Sequence, residues 1–216
     1  ELNENAETFN ASVKNTFDNP DDYRPPPGAI VEIDRVTGVR NREQSLALTY
    51  QNLQPGHNGQ VFQTFFNDQD YTVYNELKIY VHGSDNFIGN QSPVIYLRFG
   101  NSSSDYYEYR AKIVPGWAQE NEVRIIFNDL TLLKGDTELI RQRESDADTS
   151  FVIQLTDGQL HPVRVTRGTT ENKKQAIVVL PEGQEYRVQG RPSLSRIRQF
   201  VVGVSNPYEH PLSSGE

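Results

Sequence analysis

The sequence predicts an all-β chain, a jelly-roll-like β-sandwich with a small β-meander insertion, and three observations carry that reading. Apolar and polar residues alternate with a period of two along most of the 216 residues, whereas no segment holds a convincing helical stripe. Small-polar, Gly-rich and Pro-rich clusters punctuate the alternating runs. Eleven Tyr and ten Phe supply large buriable side chains suited to a pleated surface, although the hydrophobic fraction is only 35%.

Residues 1–28 read as an extended or loop-rich segment, because residues 3–23 are rich in Asn and Asp and Pro25, Pro26 and Pro27 favour an extended connector. The first part of the sandwich core follows over 29–135. Strand-like runs lie at residues 30–36, 45–50 and 61–66, separated by Gly38 and by Pro55-Gly56. Leu77, Ile79 and Val81 then share one face of a strand with Lys78, Tyr80 and His82 on the other; Ile95, Leu97 and Phe99 oppose Val94, Tyr96 and Arg98 in the same way. The G-N-S-S-S-D run at 100–105 is a small-polar turn leading into Tyr106-Tyr107-Glu108-Tyr109-Arg110, and the pair predicts a β-hairpin. Beyond Pro115-Gly116-Trp117, Val123, Ile125 and Phe127 alternate again, and residues 129–134 read as one helical turn or a short loop.

Residues 136–185 read as an acidic loop plus the small meander. The R-Q-R-E-S-D-A-D run at 141–148 has no apolar anchor and predicts a solvated loop. Residues 151–156 and 159–166 flank Asp157-Gly158, a hairpin signal whose two central residues tolerate positive φ. Pro162 marks the second of these strands as an edge or a bulged one. After a polar turn at 169–174, residues 176–180 supply a third strand, so that 151–180 forms either a separate insertion or an extension of the sandwich. Residues 186–216 are the returning strand, in which Phe200, Val202 and Val204 alternate with Gln199, Val201 and Gly203, and a carboxyl-terminal tail.

Twenty-one basic and 29 acidic residues give a net charge of −8, the wrong sign for a nucleic-acid surface. The absence of Cys removes disulfides, thiol nucleophiles, Cys-ligated zinc and iron–sulfur clusters. The chain has no Met and opens at Glu1, the pattern expected of a piece processed or excised from something longer. No run approaches the roughly 18 apolar residues of a membrane helix, and no signal-peptide pattern is visible.

Chemistry-bearing motifs are few. His57, His82, His161 and His210 are isolated and read as surface or loop histidines. No G-x-S-x-G, Walker A or G-x-G-x-x-G motif occurs, and nothing calls for a cofactor. Asp105 and Glu108 are the best pair of carboxylates for glycoside hydrolysis, set against ordinary solvation beside a turn. Asp18, Asp21 and Asp22, or Asp68 and Asp70, offer oxygen donors for calcium in loops, but neither group follows the EF-hand order, and turn chemistry is the alternative. Tyr106, Tyr107, Tyr109 and Trp117 form the most conspicuous aromatic cluster and are the candidate ligand-binding residues. Tyr107 and Tyr109 share one strand face, and Tyr106 shares the other with Glu108. A sugar platform uses such rings; burial with a satisfied hydroxyl is the competing fate. Arg187, Arg191, Arg196 and Arg198 make a local basic cluster expected to pair with carboxylates.

Two stretches carry a resemblance. Tyr96-Leu97-Arg98-Phe99-Gly100 runs on through Asp105-Tyr106-Tyr107-Glu108-Tyr109 to Trp117, Asn121 and Val123; later Gly190-Arg191-Pro192-Ser193-Leu194-Ser195 leads to Val202-Gly203-Val204-Ser205-Asn206-Pro207. In order and spacing they resemble soluble modules of the SprA family, the very large gliding-motility and type IX secretion proteins of Bacteroidetes outer membranes. The likeness is best over residues 74–207 and weak over the first sixty. It implies a non-enzymatic structural or protein-interaction module of an outer-membrane translocon, on the periplasmic or cell-surface side. Its implied partners are other segments of its own parent chain, secretion-system proteins and secreted cargo; no catalytic residue carries over. The strands lack the lipid-facing band and aromatic girdles of a membrane barrel, so the fragment itself does not enter the membrane. The residues alone leave open a second function, a carbohydrate-binding jelly-roll domain of a secreted or cell-surface protein.

Overall fold

In a computed structural model of the chain, residues 6–29, 42–135, 149–167 and 174–216 are described, with positions 33, 35, 36 and 38. They form thirteen strands and one α-helix, and every strand pair is antiparallel. The expected all-β class is observed. The main sheet has eight strands in the order β3 (Asn58–Gln69), β12 (Ile197–Ser205), β5 (Val94–Gly100), β6 (Tyr106–Lys112), β11 (Glu185–Gln189), β10 (Lys174–Val179), β9 (Leu160–Arg167) and β8 (Thr149–Gln154). A three-stranded sheet contains β1 (Thr8–Asn15), β2 (Gln44–Leu53) and β13 (Leu212–Gly215), and a two-stranded one contains β4 (Glu76–Ile79) and β7 (Val123–Ile126).

Both small sheets cover one face of the main sheet, in a sandwich-like arrangement. Ile95, Leu97 and Phe99 stand opposite Val204, Val202 and Phe200 across β5 and β12, so alternation delivers six apolar side chains to the same side. Toward one end this face packs on β7 and α1 (Phe127–Lys134), with Ile125, Leu130 and Leu133 fully buried. Toward the other, Val204 and Ile113 join Tyr50, Leu53 and Leu212 of the three-stranded sheet.

The predicted β5–β6 hairpin forms, and its turn is held by Ser102, whose Oγ accepts the N–H groups of Ser104 and Asp105 at 3.2 and 3.1 Å. The Asp157-Gly158 hairpin also forms, with a different turn. Gly158 alone has positive φ (77°), its N–H reaches the carbonyl of Leu155 at 3.0 Å, and Leu155 N–H reaches the carbonyl of Gln159 at 3.2 Å. This is a type I turn closed by a left-handed glycine, not the two-residue form in which Asp157 shares the positive φ. Pro162 lies on an interior strand, yet the β9–β10 ladder ends at Val163, so Pro162 pairs only with Val152 of β8 and is locally at an edge.

The strands expected over 151–180, namely β8, β9 and β10, extend the main sheet: β10 pairs with β11, and β11 with β6. The meander is inserted in sequence but continuous in space. The segment expected to be loop-rich holds β1, which pairs with β2 at eight positions, and the tail holds β13, whose Leu212 is fully buried. The helix begins at Phe127, two residues before the stretch where a turn was expected. Of the strand expected over 30–36 only 33, 35 and 36 are described; the loop at 141–148 lies outside the described residues, as does the turn expected at 169–174 except Lys174, which opens β10.

Candidate functional site

The three candidate tyrosines are buried and offer no ring face to a ligand. Tyr107 and Tyr109 enter the core between the layers, the Tyr107 hydroxyl donating to the carbonyl of Pro192 at 3.2 Å. Tyr106 takes the opposite face, as the alternation requires, and its hydroxyl donates to Gln189 Oε1 at 2.9 Å and accepts from Gln175 at 3.2 Å. The Arg98 guanidinium stacks on its ring at 4.1 Å. The sequence marked these positions as aromatic but not as covered, because Arg98, Gln175, Gln189 and Pro192 come from outside the strand.

Glu108 is 1% exposed and lies beside Arg98, Arg110 and Arg187, its neighbours along and across the sheet. Asp105 accepts the N–H of Arg191 at 2.7 Å and the Ser102 hydroxyl at 3.1 Å. Both carboxylates of the proposed hydrolytic pair are thus committed to the fold. Two arginines of the basic cluster pair with carboxylates as expected, Arg187 with Glu185 and Arg198 with Asp68. Asp18 meets Asn15 and Arg42, and Asp70 binds the N–H and hydroxyl of Thr72, which is turn chemistry. No group of three or more His, Asp or Glu able to hold a metal occurs among the described residues. His161, expected at the surface, is buried and bonded to Asp157 at 2.8 Å.

The two stretches that carry the resemblance meet in space. Ser193 N–H donates to Asn101 Oδ1 at 2.9 Å, Arg191 N–H to Asp105, and the Tyr107 hydroxyl to Pro192. Asn121, in the first stretch, is buried and spans the 114–116 loop: it accepts from Val114 N–H at 2.9 Å and donates to the carbonyls of Val114 and Gly116 at 2.7 and 2.8 Å.

Trp117 follows that loop and differs from the tyrosines. It lines a cleft of about 960 Å³. Its Nε1 donates to the carbonyl of Arg24 at 3.1 Å and its ring meets His82 edge to face at 5.0 Å. The cleft runs between residues 44–48 of β2 and the end of β4 at Ile79 with residues 80–82 beyond it, over a floor that includes Ile95, Leu97 and Val202 of the main sheet. Its rim is polar, with Tyr23 bonded to Glu43 at 2.6 Å and Lys14 to Glu216 at 2.6 Å.

A second open feature went unrecognised in the sequence. β3 is twelve residues long and, among the described residues, pairs on one side only. Phe65 packs into the core, which turns its neighbour Phe66 outward at 98% exposure; Phe62 is 66% exposed. The adjacent pair Phe65-Phe66 was the available signal, since one of two consecutive strand residues must face away from the core. No helix among the described residues is long and apolar enough to cross a membrane. Compared with protein families, curated proteins and solved structures, the chain matches none of them.

Proposed function

We propose that this chain is a structural, protein-interaction module of a SprA-type outer-membrane translocon acting in type IX secretion and gliding motility, on the periplasmic or cell-surface side. The observation that carries the reading is the β3 edge. A long strand with one edge that has no strand partner among the described residues, and with two exposed Phe rings, is a template for pairing with another polypeptide, and natural sheets ordinarily blunt such edges. Nothing of that kind is offered to a sugar: three of the four aromatic candidates are buried and hydrogen-bonded or packed within the fold. The junction of the two SprA-like stretches supports the reading further, since residues 96–109 and 190–193 brace one another as a single structural unit. Partners are then secretion-system proteins, other parts of a parent chain or passing cargo.

The test is a double substitution, Phe62→Asp with Phe66→Asp, in a SprA-type parent that carries this module. Export and gliding should fall sharply while the purified module keeps its unfolding midpoint. Unimpaired export would overturn the proposal.

A further inference from the structure

On the face of the main sheet that the small sheets leave uncovered, one row of cross-strand partners runs from Phe62 on β3 to Ser150 on β8. Its middle reads Arg98, Glu108, Arg187, Ile177 and Arg164, and in the next row Arg110 stands between Tyr96 and Glu185. Four arginines thus meet two glutamates, a local surplus of positive charge on a chain of net charge −8. The surplus falls on particular side chains. Arg98 holds Glu108, and Arg187 holds Glu185, each through two nitrogens. Arg110 reaches Glu108 only at 3.5 Å, and its close partner is the neutral Ser205 hydroxyl at 2.7 Å. Burial lowers the Arg110 guanidinium from its ordinary value. Arg164 is exposed and pairs with no carboxylate among the described residues. The side chains of Arg98, Arg110 and Arg187 stay 22%, 23% and 21% exposed, so solvent and solutes reach them.

We propose that this face docks an acidic polypeptide segment that also carries apolar side chains, its carboxylates falling on Arg110, Arg187 and Arg164. The sign of the partner follows from the surplus cations, and a carboxylate matches the guanidinium fork that Arg110 and Arg164 leave unfilled. Its apolar part follows from the flanks. Phe62 lies exposed at the β3 end of the row, and Val152 and Val179 lie exposed on the same face toward the β8 end. A uniform polyanion fits this surface badly, because it would set charge against those apolar flanks and meet the field of an acidic chain. The partner's acidic groups would instead complete a buried ion cluster that Glu108 and Glu185 neutralise only in part. The inference holds for any parent of this module and does not depend on the translocon reading.

Two capped peptides titrated against the full chain test it, acetyl-Glu-Leu-Glu-Phe-Glu-Leu-Glu-amide and its counterpart with Gln for every Glu. The acidic peptide should bind about tenfold more tightly than the neutral one, and added salt should narrow the difference. Arg164→Glu, at an exposed position, should weaken the acidic peptide by about tenfold while the unfolding midpoint holds. Arg24→Glu makes the same charge change in the layer over the opposite face and should leave binding as it was. Equal binding of the two peptides would overturn the proposal. So would an equal loss in the two arginine variants, which is a general charge effect, or heparin binding more tightly than the acidic peptide, which is a polyanion site. Export lost in the Phe62→Asp, Phe66→Asp parent with no preference for the acidic peptide would overturn this inference and leave the interaction-module reading standing.

Discussion

Arg98 grips Glu108 with two nitrogens, Nε at 2.9 Å and Nη2 at 2.6 Å, both on the same carboxylate oxygen. The other oxygen is left to Arg110 at 3.5 Å and Arg187 at 3.9 Å, so one buried anion is shared by cations from β5, β6 and β11. Such a group is costly to strand and less costly to remove whole. Glu108→Ala should therefore destabilise the fold by about 3–5 kcal/mol in urea unfolding. The apolar pair Arg98→Met with Glu108→Leu should recover a large part of that loss, and a double mutant as unstable as the single one would contradict the account.

The buried tyrosines give stability an alkaline limit. Burial pushes the Tyr96 and Tyr186 phenols up to about 12, whereas an unfolded phenol titrates near about 10. The folded chain then holds protons that the unfolded chain releases. Their contribution is complete below about pH 10 and is lost as pH rises toward about 12. Urea midpoints measured across this range should fall, and Tyr186→Phe should make the fall shallower.

Gly203 leaves room for the Tyr96 ring. A Cβ at that position would stand 2.5 Å from Tyr96 Cζ and 2.7 Å from the Gly59 carbonyl oxygen. The ring cannot swing away freely, because its hydroxyl is bonded toward Asn58 at 3.1 Å and Gln60 at 2.8 Å. Gly203→Ala should cost about 1–3 kcal/mol, read from thermal or urea unfolding.

Asn121 supplies the partners of the Val114 N–H and carbonyl, while Gly116 also pairs with Gly83 through both of its backbone groups. Asn121→Ala would leave the Val114 N–H and carbonyl wanting, while the Gly116 carbonyl keeps the Gly83 N–H at 3.1 Å, for a loss of about 2–3 kcal/mol after partial relaxation. Trp117 rides on that loop, so its emission should move to the red in the folded variant. An unchanged spectrum would show that the tryptophan is positioned by Arg24 and His82 alone.

Local chemistry made the strands and hairpins legible. The turn at 100–105 and the alternation of 95–99 and 200–204 needed no distant information, and the opposite facing of Tyr106 and Tyr107 followed from the pleat. What sequence could not supply was cover. Tyr106 looks like an exposed ring until Arg98 is laid over it, and Glu108 looks solvated until three arginines from neighbouring strands surround it. β1 was missed because T-F-N-A-S-V-K-N alternates only weakly and is held by β2, whose paired residues lie 29 to 43 positions away in the chain. The cleft beside Trp117 was invisible for the same reason: its walls, residues 44–48 and 79–82, are far apart in the chain and meet over the main sheet beneath them.

Thr8 and Ser214 both stand opposite Gln51, one on either side of β2. With neighbouring strands about 4.8 Å apart, the backbone comes back to within about 10 Å of where it set out after traversing all three sheets. Within any longer polypeptide the whole fold would hang as a pendant, adding almost nothing to the span between its flanks. Copies could be gained or lost at that point while the distance between the flanking segments stayed the same.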